Sequence, residues 1–316
     1  MKLPSNWTKS SLIQDVALHF SGEFVEEFWR FVNARHEIYR KRFVFKEPAP
    51  WTDDPVLQKV FFTNVYRELD KGTQYYQREV LGSGDPVADL FETLVYRQFN
   101  NVRTYQFMKS FRRQGDWEDW EGIAAKLTEY GQENNTNIFT DAHMTTGIKW
   151  GGFDDKPRNV SWMIRRHWHN RESIYKEVME AESLKERHKI IENLEGFGPF
   201  LAYEVVTDLG YSEELNPRGF TEDDWANPGP GCRKAIDLIL PPNKRKQISV
   251  TYEDVILALR VLQNEYFEFL EIGFNFLDER ELTLRNIEHS LCEFYKYSRA
   301  KHSGKARRKY HPGGRR

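Results

Sequence analysis

The residues best placed to do chemistry begin at a turn with two glycines, within the stretch from Ile190 to Ile239. Apolar residues keep a helical period on both sides of this turn, and Gly196 and Gly198 interrupt it, which predicts two short helices joined by a hairpin. Paired glycines let the backbone adopt positive φ and let another backbone come close. Main-chain amides at the start of the second helix then form a site for a phosphate. The pattern is that of a helix-hairpin-helix gripping a DNA backbone, with an ordinary turn between helices as the alternative.

An acidic pair follows the hairpin. Asp223 and Asp224 stand before Trp225 and a run rich in proline and glycine, Ala226–Gly231, that leads into another helical pattern. A hairpin followed by a carboxylate is the order found in helix-hairpin-helix DNA glycosylases. Glycosylases with lyase activity carry an amine nucleophile a few residues into the second hairpin helix, where this chain has Phe200. Schiff-base chemistry at that position is therefore excluded.

Basic residues supply candidate contacts to DNA phosphates. Arg165 and Arg166 lie among aromatic residues in a helical pattern over residues 159–169, although solvated arginines on a core-packed helix explain them equally well. Lys234 follows the proline–glycine run. Residues 301–316 hold seven lysines and arginines and no acid, so the remainder carries a net charge of −9 against −2 for the whole chain. A basic tail on an acidic body favours a polyanion bound at defined places, with a solubilising tail as the alternative.

The composition is that of a globular protein: 39% of residues are hydrophobic, 30% charged and 15% aromatic. No apolar run reaches the roughly 18 residues of a membrane span, so we expect no membrane contact. Two cysteines, Cys232 and Cys292, form neither a disulfide framework nor a zinc quartet, which indicates a reducing cytoplasm. The motifs His-Glu-x-x-His, Cys-x-x-Cys and Gly-x-x-x-x-Gly-Lys-Ser/Thr are absent, and we expect no metal, no cofactor and no nucleotide held by a P-loop.

Helical periods dominate and strand signals are sparse, so the predicted fold is all-α. The predicted helices, besides the two of the hairpin, cover residues 24–43, 56–70, 87–99, 117–130, 159–169, 255–276 and 282–297. We expect a helical body over residues 1–300, either undivided or in two lobes at 1–185 and 186–300. The basic tail, residues 301–316, follows it.

The predicted helix over residues 56–70 combines an apolar stripe with a polar trio. The stripe consists of Leu57, Phe61, Val65 and Leu69. Asn64, Arg67 and Asp70 are spaced three residues apart, which places them close together on one helix face. Such a trio forms a salt-bridged surface, or else Arg67 holds a phosphate through two hydrogen bonds.

One series of motifs resembles a family of helical phage proteins, the α-glutamyl/putrescinyl thymine pyrophosphorylases. The series begins with Pro50–Leu57 (PWTDDPVL) and continues with Phe62–Arg67 (FTNVYR) and Asp70. These proteins are also described as amino acid:DNA transferases. They are akin to the helical domain of 5-hydroxymethyluracil DNA kinases and, as diverged relatives, to helix-hairpin-helix DNA glycosylases.

Two shorter segments extend this resemblance. Residues 226–231 (ANPGPG) resemble the family's Ala-Gly-Pro-Gly-Ala turn, and residues 139–144 (FTDAHM) resemble its Phe-Thr-Gly-Ala-Tyr segment. The second segment departs from the family pattern at Asp141 and His143. The resemblance runs from about Phe24 to Phe294, most of the chain.

The resemblance implies a helix-hairpin-helix DNA glycosylase-like fold and an enzyme of thymine hypermodification, at work in the cytoplasm of a phage-infected bacterial cell. In that chemistry 5-hydroxymethyluracil is pyrophosphorylated, and a small amine or amino acid then displaces the pyrophosphate. The chain would extrude the modified thymine from double-stranded DNA, as base-modifying enzymes must. Related hairpins hold a monovalent cation by their carbonyls, so such an ion is a candidate ligand of this hairpin and the one exception to the expectation of no metal and no cofactor.

The same resemblance implies roles for individual residues. Asp224 would deprotonate the incoming ammonium or stabilise positive charge at the exocyclic methylene, with Asp223 as the alternative. Arg67, and more weakly Arg97, would neutralise the leaving pyrophosphate. The residues expected to line the substrate pocket are Trp51, Asp54, Asn64, Tyr66, Arg97 and Trp225.

Two other functions compete with this transferase. The hairpin and carboxylate fit a plain DNA glycosylase that acts on a modified base. The absent P-loop, and the occurrence of the family as a kinase domain, fit a non-catalytic DNA-binding partner of a separate kinase. The amine that is transferred and the oligomeric state do not follow from the sequence.

Overall fold

The computed structural model describes residues 11–112, 116–140 and 151–304. Within these residues all regular structure is helical, apart from isolated bridge residues such as the pair Leu277 and Arg280. The all-α prediction is therefore confirmed. No helix among them is both long and apolar enough to cross a bilayer.

The helices in chain order begin with α1 (Ser11–Ala17), α2 (Gly22–Tyr39), α3 (Pro55–Lys59), α4 (Lys71–Glu79), α5 (Pro86–Phe99), α6 (Val102–Phe111), α7 (Trp120–Glu133) and α8 (Lys156–His169). They continue with α9 (Arg171–Glu180), α10 (Leu184–Glu192), α11 (Pro199–Leu209), α12 (Pro230–Ile239), α13 (Pro242–Gln247), α14 (Tyr252–Val261), α15 (Gln263–Phe269) and α16 (Leu284–Ser303). A π-helix, Arg40–Val44, extends α2, and a 3-10 turn spans Arg67–Leu69.

Local sequence sets many of the helix starts. Asp54 and Asp85 each accept hydrogen bonds from two main-chain amides at the start of a helix whose first residue is proline. Proline suits that position because its missing N–H has no partner in a helix anyway. Thr251 and Thr283 begin α14 and α16 with reciprocal capping boxes.

The chain forms two compact units, and the boundary is not near residue 185, where we expected it. The split unit contains Met1–Asp70 and Trp225–Arg316, and the continuous unit contains Lys71–Asp224. The two stretches of the split unit are joined by contacts between residues far apart in sequence, which helical periods do not reveal.

The continuous unit is built on α5. Every residue of α5 from Asp89 to Phe99 is buried, as expected of a helix with neighbours on all sides. Its neighbours are α6, α8, α9 and α11, while α10 pairs with α11 and α7 with α8. The core is rich in large aromatic side chains, which include Tyr76, Phe91, Phe99, Tyr105 and Trp117.

The split unit has its own aromatic core, in which α16 contacts α2, α12 and α14. The Phe28 ring meets the Phe294 ring edge to face at 5.6 Å. Gly231 sets the closest approach of α12 to α16, because a Cβ atom there would lie 2.5 Å from the Sγ atom of Cys292. The proline–glycine run is therefore a helix-packing element.

The prediction of one helix over residues 56–70 is wrong. Helix α3 ends at Lys59, and Val60 is extended at φ −108° and ψ 136°. The following chain is held instead by Asn64, whose main-chain N and Nδ2 both donate to Asp70 Oδ1 at 3.0 Å. Such side-chain bonds to the backbone compete with helix formation. As a result Phe61, predicted in the core stripe, is 40% exposed.

Three further boundaries differ from the predictions. The helix expected over 255–276 is divided into α14 and α15 and ends at Phe269. Helix α16 continues to Ser303, so Lys301 is helical and its Nζ pairs with Glu27 at 2.7 Å, rather than starting the tail. The rest of the basic tail, from Lys305, lies outside the described residues, as do Asp141 and His143.

Candidate functional site

The hairpin lies where the glycines predicted it, between α10 and α11. Gly196 has a φ of +84°, the left-handed conformation that glycine adopts without strain. Phe197 is buried and its N–H donates to the Leu194 carbonyl at 3.0 Å, which closes the turn. Gly198 is exposed, and a Cβ atom there would meet nothing within 4 Å. The main chain is thus open to an outside partner at Gly198 and closed at Gly196.

Helix α8 fastens the hairpin to the rest of the continuous unit. His167 Nε2 donates to the Glu195 carbonyl at 2.8 Å, and Arg166 pairs with the Glu195 carboxylate at 2.5 Å. Burial lowers the pKa of His167, which keeps the ring neutral at pH 7. Met163 lies against Gly196, where a Cβ atom would be 2.1 Å from its sulfur.

These contacts bear on two predicted ligands of the hairpin. Of the two candidate phosphate contacts, Arg166 is exposed but paired with Glu195, and Arg165 is half-buried. The carbonyls of Leu194, Glu195 and Gly196 all accept hydrogen bonds, the last from Gln98 Nε2 at 2.9 Å. A monovalent cation at the hairpin would have to use their remaining lone pairs.

Arg97, a candidate for pyrophosphate, is instead enclosed in the core of the continuous unit. Its guanidinium binds both carboxylate oxygens of Asp208, by Nε to Oδ2 and by Nη2 to Oδ1 at 2.6 Å. Its Nη1 atom lies 3.4 Å from the Glu204 carboxylate and donates to Asn100 at 3.1 Å. Burial alone would lower the pKa of Arg97, but these carboxylates raise it. The arrangement is a structural ion pair that joins α5 to α11, the second helix of the hairpin.

The acidic pair lies in a turn at the end of the continuous unit. Asp224 is exposed, and its Oδ2 atom accepts hydrogen bonds from the Thr221 main-chain N at 2.5 Å and the Thr221 hydroxyl at 3.3 Å. Asp223 is half-buried, and its own N–H donates to the same hydroxyl at 3.3 Å. Thr221 therefore fixes the turn, and one carboxylate oxygen of Asp224 makes no hydrogen bond within the described residues.

In the split unit, Trp225 and Lys234 flank the proline–glycine run. Trp225 is half-buried, whereas Lys234 is exposed, with its Nζ atom 5.6 Å from the centre of the Tyr295 ring. Between them, the N–H of Gly229 donates to Glu288 Oε1 at 3.3 Å, which places a carboxylate at the start of α12. Lys234 is thus open to a DNA phosphate.

Both carboxylate oxygens of Asp54, which was predicted to line the substrate pocket, accept hydrogen bonds within the protein. Its Oδ1 atom caps α3 by accepting from Val56 N at 2.7 Å and Leu57 N at 3.0 Å. Its Oδ2 atom accepts from the Tyr297 hydroxyl at 2.7 Å. Trp51 is half-buried and donates through Nε1 to the Glu47 carbonyl at 2.8 Å.

Asn64, another of the predicted pocket residues, joins Arg35 to Asp70. Its Oδ1 atom accepts from Arg35 Nη2 at 2.7 Å, and its two nitrogens hold Asp70. Burial raises the pKa of Asp70 to about 6, although the nearby guanidiniums of Arg67 and Arg35 oppose the rise. Arg67 is 7% exposed. The polar trio predicted on a helix face therefore does come together, but through a loop.

Tyr66 belongs to the same segment but turns to a different partner. Its hydroxyl donates to the Arg280 carbonyl at 2.8 Å and accepts from Leu277 N at 3.2 Å. Burial raises its pKa to about 12, so the phenol stays protonated at neutral pH. Tyr66 thus fixes the loop before α16.

The sequence predicted no site role for three residues of this region, Arg35, Asp70 and Glu293, and Asp70 appeared only in the polar trio and the family series. An aspartic acid with a pKa of about 6 can take up or release a proton near neutral pH, and neighbouring guanidiniums suit a phosphate ester. Glu293 of α16 accepts from Thr63 N at 3.0 Å and fixes the start of the segment. No spacing in the sequence points to these contacts, since their partners are up to 230 residues apart.

The comparison with known proteins covers both units. A family model described as 5-hmdU DNA kinase, helical domain, matches residues 22–307. The chain belongs to this family. A 5-hmdU DNA kinase of Bacillus phage SP10 is 29% identical to it over 280 residues, which is 83% of this chain and 43% of the relative. The chain thus spans less than half the length of that relative. No solved structure matches it.

The family match includes every residue that the geometry singles out. The hairpin, the acidic turn and the segment from Asn64 to Asp70 all lie within residues 22–307 of the helical-domain family. Residues 308–316, which contain four of the seven basic residues of the tail, lie beyond the match. Within the described residues, no group of three or more His, Cys, Asp or Glu side chains is placed to hold a metal ion.

Proposed function

We propose that the chain acts on modified thymine in phage DNA, by displacing pyrophosphate from 5-pyrophosphoryloxymethyluracil with a small amine or amino acid. The observation that carries this proposal is the group formed by Arg35, Asn64, Arg67 and Asp70. It combines an ionisable carboxyl group with two guanidiniums, the pair of functions that removal of a proton and departure of a pyrophosphate require. The family match and the name of the phage relative support DNA containing a 5-hmdU base as the substrate.

The hairpin supplies the proposed grip on double-stranded DNA, in the manner of a helix-hairpin-helix glycosylase. The exposed main chain at Gly198, at the start of α11, accepts a phosphate through its amides. Arg165, Arg166 and Lys234 contribute cations at further phosphates. The modified base leaves the stack for the reaction, as in other enzymes that do chemistry on a base.

The displacement needs one proton acceptor and one neutralising cation. The ammonium of the co-substrate loses a proton, and its nitrogen then forms a bond to the exocyclic methylene carbon. The bond from that carbon to the pyrophosphate oxygen breaks, and pyrophosphate leaves with the electron pair. Within the group that carries the proposal, Asp70 accepts the proton and Arg67 stabilises the charge on the leaving group. The family resemblance implies Asp224 for the proton transfer, with Asp223 as the alternative, so each of these carboxylates is tested by itself.

The test is mass analysis of nucleosides from 5-pyrophosphoryloxymethyluracil DNA after incubation with the protein and each amino acid in turn. Transfer yields an amine-substituted nucleoside and free pyrophosphate. Asp70→Asn, or Asp224→Asn if that carboxylate accepts the proton, should lose about a hundred- to ten-thousand-fold in rate, and the loss should shrink as pH rises because the amine then deprotonates unaided. Arg67→Ala should be defective at every pH. Near-normal turnover of Arg67→Ala would move the pyrophosphate site elsewhere.

One observation favours a second candidate function, a DNA-binding module that serves a kinase. The match covers 43% of the phage kinase, so more than half of that relative lies outside the matched region. Under this alternative, DNA binding persists and no nucleoside changes mass unless a separate kinase is added. Activity that survives replacement of Asp70, Asp223 and Asp224 would also favour it. A plain glycosylase would instead release the free base.

A further inference from the structure

The segment after α2 exposes an unusual run of apolar side chains. Phe43, Val44 and Phe45 are 45%, 58% and 54% exposed, and every residue from Phe43 to Pro50 is exposed. Single exposed apolar residues are common on soluble proteins, but three in succession mark a surface that contacts something else. The run is ordered by hydrogen bonds within the segment, from Phe45 N to the Arg40 carbonyl at 2.9 Å and from Glu47 N to the Lys41 carbonyl at 2.8 Å.

The same segment is strongly basic. Residues 40–51 contain four lysines and arginines and one acid, whereas the whole chain has a net charge of −2. The guanidinium of Arg42 stacks on both Phe43, at 4.8 Å, and Trp51, at 4.9 Å, and that of Arg40 lies 5.1 Å from the Phe45 ring. Cations interleaved with exposed aromatic rings are the surface that unstacked nucleic acid binds, because rings stack on bases while cations meet phosphates.

The form of the backbone agrees with a functional surface. Residues Arg40–Val44 form a π-helix, a rare form that is frequently found at functional sites. Lys46 has a φ of +56°, which a lysine rarely adopts, and turns the chain directly after Phe45. Both features keep the aromatic run on the outside of the split unit rather than folded over its core.

We propose that residues 40–51, the basic–aromatic arm, form a second DNA-binding surface, which stacks Phe43 and Phe45 on bases that become unpaired when the modified thymine leaves the duplex. The inference rests on the proposed action on DNA but not on the transfer reaction.

DNA is favoured over a protein partner by charge, since the apolar run is surrounded by cations that complement phosphates. Arg40 is already paired with Glu37 at 2.7 Å. A hydrophobic protein surface would, however, leave the cations of Lys41 and Lys46 unmatched.

The test compares binding to two DNA duplexes, one fully paired and one with a single unpaired thymine. Phe43→Ser and Phe45→Ser should weaken binding to the unpaired duplex by about 5- to 150-fold for each stacked base, and binding to the paired duplex much less. Lys46→Gln should weaken both and lower the log–log salt slope by about 0.9 for one lost phosphate contact. Unfolding temperatures should stay unchanged, because these side chains are exposed.

Phe269→Ser is the matched control. Phe269 belongs to the same unit and is 71% exposed, but its helix, α15, carries two glutamates and no basic residue. It should bind both duplexes like the unaltered protein. Photocrosslinking with 5-iodouracil in place of the unpaired thymine should attach DNA to Phe43, Phe45 or Trp51.

The outcomes separate this inference from the proposed function. If the unaltered protein binds the unpaired duplex and the arm variants bind equally well, the arm is not a DNA surface, whether or not transfer occurs. If the arm variants lose binding while no nucleoside changes mass, DNA binding by the arm is supported and the proposed transfer reaction is refuted. If the unaltered protein binds neither duplex, both the arm and the proposed action on DNA are refuted.

Discussion

The two glycines of the hairpin should respond in opposite ways to the same substitution. Gly196→Ala forces an alanine into a φ of +84°, which costs about 1–2 kcal/mol for an L-residue. The new methyl group would also lie 2.1 Å from the sulfur of buried Met163. The end of a methionine side chain can move, so we assign this overlap about 1–2 kcal/mol, the lower part of the range for overpacked cores. The expected loss of unfolding free energy is therefore about 2–4 kcal/mol.

Gly198→Ala should leave stability within about 0.5 kcal/mol. Gly198 has a φ of −84°, which suits alanine, and its Cβ would meet no atom. Alanine is a poorer N-cap than glycine, but it also reduces the freedom of the unfolded chain, and the two effects nearly cancel. If a DNA phosphate sits on the main chain there, the added methyl group should still weaken DNA binding by about 10- to 150-fold, the range for one hydrogen bond to a charged group.

Chemical denaturation and a DNA-binding titration of both variants decide the matter. The expected pattern is a destabilised Gly196→Ala and a stable Gly198→Ala with a DNA-binding defect. A Gly196→Ala protein as stable as the unaltered one would contradict the close contact with Met163. A Gly198→Ala protein with normal DNA affinity would remove the hairpin amides from the DNA contact.

Three further predictions concern other parts of the chain. The pKa of Asp70 is about 6 in the folded protein and lower in the unfolded chain, so the stability that protonated Asp70 contributes is present below the unfolded pKa and lost as pH rises through 6. Asp70→Asn should remove this pH dependence of stability and raise the free energy of unfolding at pH 7 by about 1–3 kcal/mol. Denaturation at several pH values measures both effects. Arg97→Met should destabilise by about 3–5 kcal/mol through the uncompensated Asp208, and adding Asp208→Asn should recover part of the loss. Deleting residues 305–316 should lower the salt slope of DNA binding without altering preference for the modified base; an unchanged slope would leave the tail a solubility device.

The hairpin was predictable from the sequence because all of its signals are local. Apolar periods, two glycines and Pro199 at the start of α11 lie within a few residues of one another, and they agree with the turn that forms. Gly231 gave a partial signal. Its proline–glycine run was recognised, but the reason for the glycine, close packing against Cys292, depends on a helix much later in the chain.

The segment from Val60 to Asp70 shows where local reasoning fails. Its apolar residues fit a helical stripe, but β-branched and aromatic residues form helices weakly, and Asn64 and Asp70 satisfy the backbone in another way. The stabilising partner Arg35 lies on α2, 29 residues away. The raised pKa of Asp70 follows from this burial, so no pattern of residue types could have predicted it.

The same distinction explains the fate of Arg97. An arginine at the end of an apolar helix can either bind a phosphate or form a buried ion pair. For Arg97, only the position of Asp208, 111 residues later, decides between these two roles. The guanidinium of Arg97 is buried between two carboxylates and is not accessible to a pyrophosphate, and separating the ion pair would leave charges uncompensated. Arg97 therefore acts on the hairpin by holding α11 in place.

The hairpin itself presents an apparent conflict, because a carboxylate stands beside the proposed phosphate site. Glu195 would repel a phosphate at Gly198, but its charge is matched by Arg166 at 2.5 Å. Both side chains are partly exposed, at 53% for Arg166 and 33% for Glu195, and exposed pairs of this kind contribute under about 1 kcal/mol. Of the Arg166 donors, Nη1 binds Glu195, so the others can meet a DNA phosphate while the pair stays intact. The His167 bond to the Glu195 carbonyl keeps the turn in place at the same time, so the hairpin can gain a phosphate without losing its shape.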